Sequence, residues 1–354
     1  MECLSNAAAR RHTDDAPPLA RPPARWTLWT MTSVPHEPVM RAEVLRLLLG
    51  GRSEPLRMVD VTLGAGGHAA ALLAASPAGS ELLGLDRDSR AHALAAERLS
   101  PSAGRFQLRR ARFSELGRVL DEIGWTSIDV VLADLGVSSM QLDEADRGFS
   151  FRFDAALDMR MDRDSGESAF DLLTRISEEE LGQLLAELGE MPRARRIART
   201  ICRGDRPRTT AALRERVVAA VGRPSRHHDP ATLVFQALRI AVNDELGELE
   251  ALLDGLPSVL APGGRVAVLA YHSLEDRIVK RRFASWTASC TCPPEIPVCV
   301  CGGTPRARRL SRGAERPEEA EVLRNPRARS ARLRAVEWLA PASDSGSSPR
   351  GGAR

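Results

Sequence analysis

Residues 57–68 read Arg57-Met-Val-Asp60-Val-Thr-Leu-Gly64-Ala-Gly66-Gly67-His68. A short apolar run ends at an acid, a glycine turn follows, and residues 69–75 (AAALLAA) are strong helix formers. Strand, glycine turn and helix in this order form the opening unit of a parallel α/β sheet. Glycine lets the backbone approach a ligand closely and permits positive φ. The helix beyond it offers N–H groups that no helical carbonyl can satisfy.

Working outward, the same alternation repeats. Residues 81–85 read as a second strand ending in Asp86, and residues 89–99 as a helix. A third strand runs through 106–108, with a helix over 114–123. Residues 128–133 (IDVVLA) form an almost unbroken apolar run, as a strand buried on both faces requires. The fold class is therefore α/β, an open Rossmann-like sheet with right-handed crossovers. The alternation stops near residue 141. Helical patterns over 178–188, 193–201, 209–221 and 231–240 follow, and a turn feeding a fifth strand appears at 259–270. We expect an all-helical domain, 141–241, inserted into a discontinuous α/β domain, 33–140 and 242–340. Residues 1–32 and 341–354 lack periodicity and read as disordered tails, with Met31 as an alternative start.

Composition narrows the class. The chain has 354 residues with 43% apolar, enough for a sizeable core. No apolar run approaches the roughly 20 residues of a membrane span, so no membrane partner is expected. Net charge is only +3, and the basic side chains are arginines except for Lys280. A GC-rich genome accounts for that bias. The six cysteines are too few and too scattered for a secreted disulfide scaffold, and no signal peptide is visible, so a cytoplasmic setting is expected.

Asp86 follows Gly66 by about the interval at which an acid meets the ribose of an adenosine cofactor. The glycine turn also fits a nicotinamide site or a turn without ligand. The compact Gly66-Gly67 pair, with no phosphate group to hold, favours S-adenosylmethionine. Asp134, at the end of the fourth strand, opens Asp134-Leu-Gly-Val-Ser-Ser139. It reads either as a cap for the next element or as an acceptor that orients a poorly nucleophilic amine.

Six strings then coincide in order. They are Gly64-Ala-Gly-Gly-His68, Asp134-Leu-Gly-Val-Ser-Ser-Met-Gln141 with Arg147-Gly-Phe-Ser-Phe151, Leu157-Asp-Met-Arg-Met-Asp162, Phe235-Gln-Ala-Leu-Arg-Ile240 with Val242-Asn-Asp-Glu-Leu246, His272-Ser-Leu-Glu-Asp-Arg277, and Asn325-Pro-Arg-Ala-Arg-Ser330. Over roughly 36–338 the chain closely resembles the bacterial 16S rRNA cytosine-N4 methyltransferase family (RsmH, formerly MraW). The resemblance implies an enzyme using S-adenosyl-L-methionine to methylate the N4 amine of a cytosine in the decoding centre (P site) of 16S rRNA, with the small ribosomal subunit as partner. It implies that Gly66, Gly67 and His68 line the cofactor, Asp86 holds the ribose, Phe113 packs near the adenine, and Asp134 and Gln141 close the site beside the base. It also implies that the inserted helices help grip RNA. The chain departs from the family pattern at Asp229, Leu233 and Tyr271, where His, Arg and Phe are usual. The alternative from another class is a non-catalytic ribosome-assembly protein that binds RNA.

Further features stay open. His272 reads as a proton acceptor near the base or as a structural residue ordering the strand end. Arginines at 193–203 and 306–334 suit phosphate contacts or a solvated face. Aromatics are only 4%, which argues against an extended stacking platform. Cys290, Cys292, Cys299 and Cys301 form two C-x-C pairs that read as a structural zinc site or as free thiols. No catalytic metal is expected, and the chain is taken as a monomer or homodimer.

Overall fold

The computed structural model describes residues 37–136, 144–222, 229–290, 292 and 303–340. The two terminal tails, Gln141, Cys299 and Cys301 lie outside the described residues.

A seven-stranded sheet of order β3-β2-β1-β4-β5-β7-β6 organises the chain. Its parallel part is β1 (Arg57–Asp60), β2 (Glu81–Asp86), β3 (Phe106–Arg110), β4 (Ile128–Asp134) and β5 (Leu260–Ala270). Strand β7 (Arg332–Trp338) pairs antiparallel with β5, and β6 (Ala307–Arg309) closes the edge against β7. The order runs outward through β1, β2 and β3, then returns to place β4 on the other side of β1. That reversal opens a crevice at the carboxyl ends of β1 and β4, where open α/β sheets bind ligands.

Helices cover both faces. One apolar layer packs α1 (Arg41–Leu49), α2 (Gly67–Ala75) and α3 (Ser89–Leu99) on the sheet. The other packs α4 (Leu116–Ile123), α10 (Glu245–Val259) and α11 (Ser273–Trp286). The central strands are accordingly buried almost throughout, with Ile128, Val130, Val131, Leu132 and Ala133 at 0% exposure.

Between β4 and α10 lie α5 (Ala169–Arg175), α6 (Glu178–Glu187), α7 (Ala194–Cys202), α8 (Thr210–Val221) and α9 (Ala231–Asn243). These helices share a hydrophobic core of their own, including Leu173, Leu185, Ile197, Leu213 and Leu238. Ser168 and Ser177 start α5 and α6 as reciprocal capping boxes, and Thr209 caps α8. A buried ion pair fastens this layer to the sheet: Arg147 Nη2 lies 2.9 Å from Asp88 Oδ2. Asn243 adds a second tie, its backbone carbonyl accepting from Arg87 Nη1 at 3.0 Å. Within the helical layer its side-chain amide donates to the carbonyls of Met159 and Arg239, and its side-chain oxygen accepts from Met161 N.

The structure modifies the reading at 259–270. Pairing jumps from Ile128↔Leu260 to Val130↔Arg265, so Ala261-Pro-Gly-Gly264 bulges out within β5 instead of preceding it. Gly263, at φ 78°, supplies the left-handed turn of that bulge. Among the described residues, no helix is long and apolar enough to cross a membrane.

Candidate active site at the strand reversal

A cavity of about 610 Å³ sits at the reversal, within the size range of small-molecule sites. The ends of β1, β2, β4 and β5 form its floor, and α9 and α10 supply part of its wall.

The glycine turn shapes one side. Gly66 adopts φ 74° as the N-cap of α2 and packs behind the wall, where an added Cβ would sit 3.2 Å from Ala95. Gly67 lines the cavity. A Cβ there would meet Pro38 at 2.8 Å and Arg98 Nη1 at 3.1 Å. His68 follows in the first helical turn, 6% exposed.

Asp86 is fixed in place by backbone donors. Its Oδ2 accepts from Gly64 N at 2.8 Å and its Oδ1 from Asp88 N at 2.8 Å. Each oxygen retains a lone pair for a ligand hydroxyl. Burial pushes its carboxyl above the usual range, and the two backbone bonds oppose that rise. Phe113 and Ala111 give the cavity an apolar wall beyond Asp86.

Asp134 ends β4 and lines the cavity. Its backbone N–H donates to Thr62 Oγ1 at 2.6 Å, which fixes the turn. Tyr271 Oη donates to its Oδ1 at 2.7 Å, while Oδ2 lies 3.6 Å from His68 Nε2. Burial pushes the Asp134 carboxyl up to about 6, opposed by the tyrosine hydrogen bond. Tyr271, the departure from the family's usual Phe, thus bonds the central acid directly.

His272 lies elsewhere. Its side chain caps α11, with Nδ1 accepting from Glu275 N at 3.4 Å and Nε2 3.1 Å from Glu275 Oε1. It is not part of the cavity lining, whereas Tyr271 and Glu275 on either side are. Cys290 is exposed and Cys292 half-buried, with Cys292 N donating to Cys290 Sγ at 3.4 Å.

Sequence reasoning missed three groups. Asp60 is 1% exposed, lines the cavity, and is pushed up to about 7 by burial. An acid closing an otherwise apolar first strand was the available signal. Arg239 forks onto Glu245 with two 2.7 Å bonds inside the cavity wall. The third is Tyr271. Tyr271 lies far from Asp134 in sequence, and tertiary packing brings the two together.

The arginine clusters divide. Arg193, Arg195, Arg196, Arg199 and Arg203 are exposed, with Arg199 paired to Glu178. Arg332 and Arg334 are instead held by Asp276, and Arg308 by Glu337. Arg327 and Arg329 line the cavity itself.

The model of the MraW methylase family matches residues 33–339. A protein of Anaeromyxobacter dehalogenans named ribosomal RNA small subunit methyltransferase H is 51% identical over 311 residues, covering 86% of this chain and 98% of that protein. Its namesake in Nitratidesulfovibrio vulgaris is 48% identical over 308 residues, covering 85% and 95%. Among solved structures, Thermus thermophilus TrmN superposes with a TM-score of 0.39 at 15% identity, covering 85% of this chain and 48% of TrmN.

Proposed function

The chain belongs to the MraW methylase family, and on that premise we propose that it methylates the N4 amine of a cytosine in the decoding centre (P site) of 16S rRNA, using S-adenosyl-L-methionine. It is an rRNA small-subunit methyltransferase like its relatives. The observation that carries the finer reading is one continuous cavity joining the α2 turn and Asp86 to Asp134.

The residues present suit the cofactor. Gly67 has no room for a Cβ, Asp86 retains lone pairs for a ribose diol, and Phe113 offers an apolar face to adenine. Acidic side chains at 60, 86 and 134 suit a cationic sulfonium. When bound, S-adenosylmethionine supplies a methyl group on cationic sulfur.

Asp134 then orients the amine. Cytosine's N4 lone pair is delocalised into its ring, so the amine is a weak nucleophile. A carboxylate accepting an N4–H favours the pyramidal form and holds nitrogen in line with the methyl carbon. Oδ2 is the oxygen for this, because Oδ1 is engaged by Tyr271. The α9–α10 wall, with the Arg239–Glu245 pair, encloses the base side of the cavity. We assign residues 141–241 as the RNA-gripping part, with the exposed arginines of 193–203 and the cavity arginines Arg327 and Arg329 as phosphate contacts.

Purified protein, labelled S-adenosylmethionine and small subunits lacking the modification test this reading. It predicts N4-methylcytosine at one decoding-centre position, lost on Asp134→Ala. Cofactor binding without transfer to subunits or naked rRNA would favour the non-catalytic binder.

A further inference from the structure

Two hydrogen-bond acceptors face one another in the lining of the cavity. His68 Nε2 is buried without a hydrogen-bond partner and lies 3.6 Å from Asp134 Oδ2. In the Nδ1–H tautomer that the inference below requires, the neutral ring carries its lone pair on this unpartnered Nε2. Tyr271 occupies Asp134 Oδ1, so the lone pairs of Nε2 and Oδ2 are both left facing the gap.

Opposed lone pairs without a proton between them are unfavourable, and a donor carrying two N–H bonds on one atom relieves both. A primary aromatic amine is such a donor. We infer that His68 Nε2 is the second acceptor for the target amine and takes the proton that methylation releases. This rests on the amine-methylating reading above and deepens it.

The balance closes. The N4 lone pair forms the N–C bond as the S–C bond breaks, and that bonding pair stays on sulfur as a neutral thioether. The N4 cation gives one proton to Nε2, leaving a neutral methylated amine and an imidazolium. Asp134 then faces the imidazolium as its counter-ion. Burial, with Arg41 on α1 adding like charge, lowers the free ring to about 4, so it is neutral before each turnover. A weak base suffices, because an aryl-ammonium-like N4 cation is far more acidic than imidazolium. The titratable groups facing this pair are Arg41 from α1, with Asp60 at the end of β1 and Tyr271 and Glu275 at and beyond the end of β5 acting on Asp134.

The test uses His68→Gln, which keeps an acceptor oxygen but takes no proton near neutral pH. S-adenosylhomocysteine affinity is measured alongside single-turnover transfer to small subunits at saturating cofactor. At saturating cofactor we expect a transfer rate lower by about a hundredfold, whatever the change in cofactor affinity. Nitrogen-15 imidazole spectra of the free wild-type protein, assigned by loss of one signal in His68→Gln, should show Nε2 without hydrogen at neutral pH. Unchanged transfer overturns the inference. So does an Nε2–H tautomer, or lost cofactor affinity with normal transfer at saturation, which would assign the gap to the cofactor's own ammonium. Wild-type protein that makes no N4-methylcytosine fails the parent reading instead, and the spectra still decide the tautomer.

Discussion

Removing the Tyr271 hydroxyl tests how the central acid is kept ionised. In Tyr271→Phe the ring stays and only the 2.7 Å donation to Asp134 Oδ1 is lost. A hydrogen bond to a charged group contributes roughly 1.5–3 kcal/mol. At about 1.4 kcal/mol per pKa unit, losing it raises the Asp134 carboxyl by roughly one to two units. Starting from about 6, that carboxyl then titrates at roughly 7 to 8. In the proposed mechanism the carboxylate is the working form, so activity is expected above this pKa and lost as pH falls through it. Transfer at pH 7 should drop about two- to tenfold from ionisation alone and recover by about pH 9. Single-turnover transfer across about pH 5 to 9, with saturating cofactor, reads this directly. A uniform loss at every pH, with the acid limb unmoved, would refute the reasoning and make Tyr271 a packing residue.

Three other outcomes follow from the same geometry. Gly136→Ala places a Cβ 3.0 Å from Tyr271 Cδ2 at a residue with φ 150°, so it should shift the acid limb the same way but less. Arg147→Ala removes the buried ion pair to Asp88 and the donations to the Arg160 and Met161 carbonyls, and should cost about 3–5 kcal/mol, measured by denaturant unfolding. Asp60→Asn should stabilise the cofactor-free protein in a pH-dependent way. The folded carboxyl titrates near 7 against about 4 unfolded, so the wild type loses stability as pH rises through that window. The melting difference between variant and wild type should therefore widen from about pH 4 to 7 and then level off; a constant difference would sink this reading.

Local sequence was sufficient for much of this protein. Period and run length placed the first four strands and their helices, because a parallel strand buried on both faces must be continuously apolar and its crossover helix must follow. Gly66, Gly67, Asp86 and Asp134 stood out because each ends or follows such a strand, which is where the sheet delivers side chains to a ligand. The helices between β4 and α10 were readable for the same reason, since caps and apolar spacing are local. The bulge in β5 was not readable, because its Ala-Pro-Gly-Gly turn is resolved only by pairing with β4. Nor was the role of Asp60, whose strand-end position was visible but whose burial depends on the cover above it. Only tertiary structure brought Tyr271 from the end of β5 and His68 from α2 onto opposite oxygens of Asp134. Only tertiary structure withdrew His272 from the cavity as the cap of α11. Adjacent residues at a strand end point to opposite sides, so the neighbouring Tyr271 and His272 receive different tasks. Which one faces the acid is fixed by the register of β5 against β4, a long-range pairing that no short window of sequence contains.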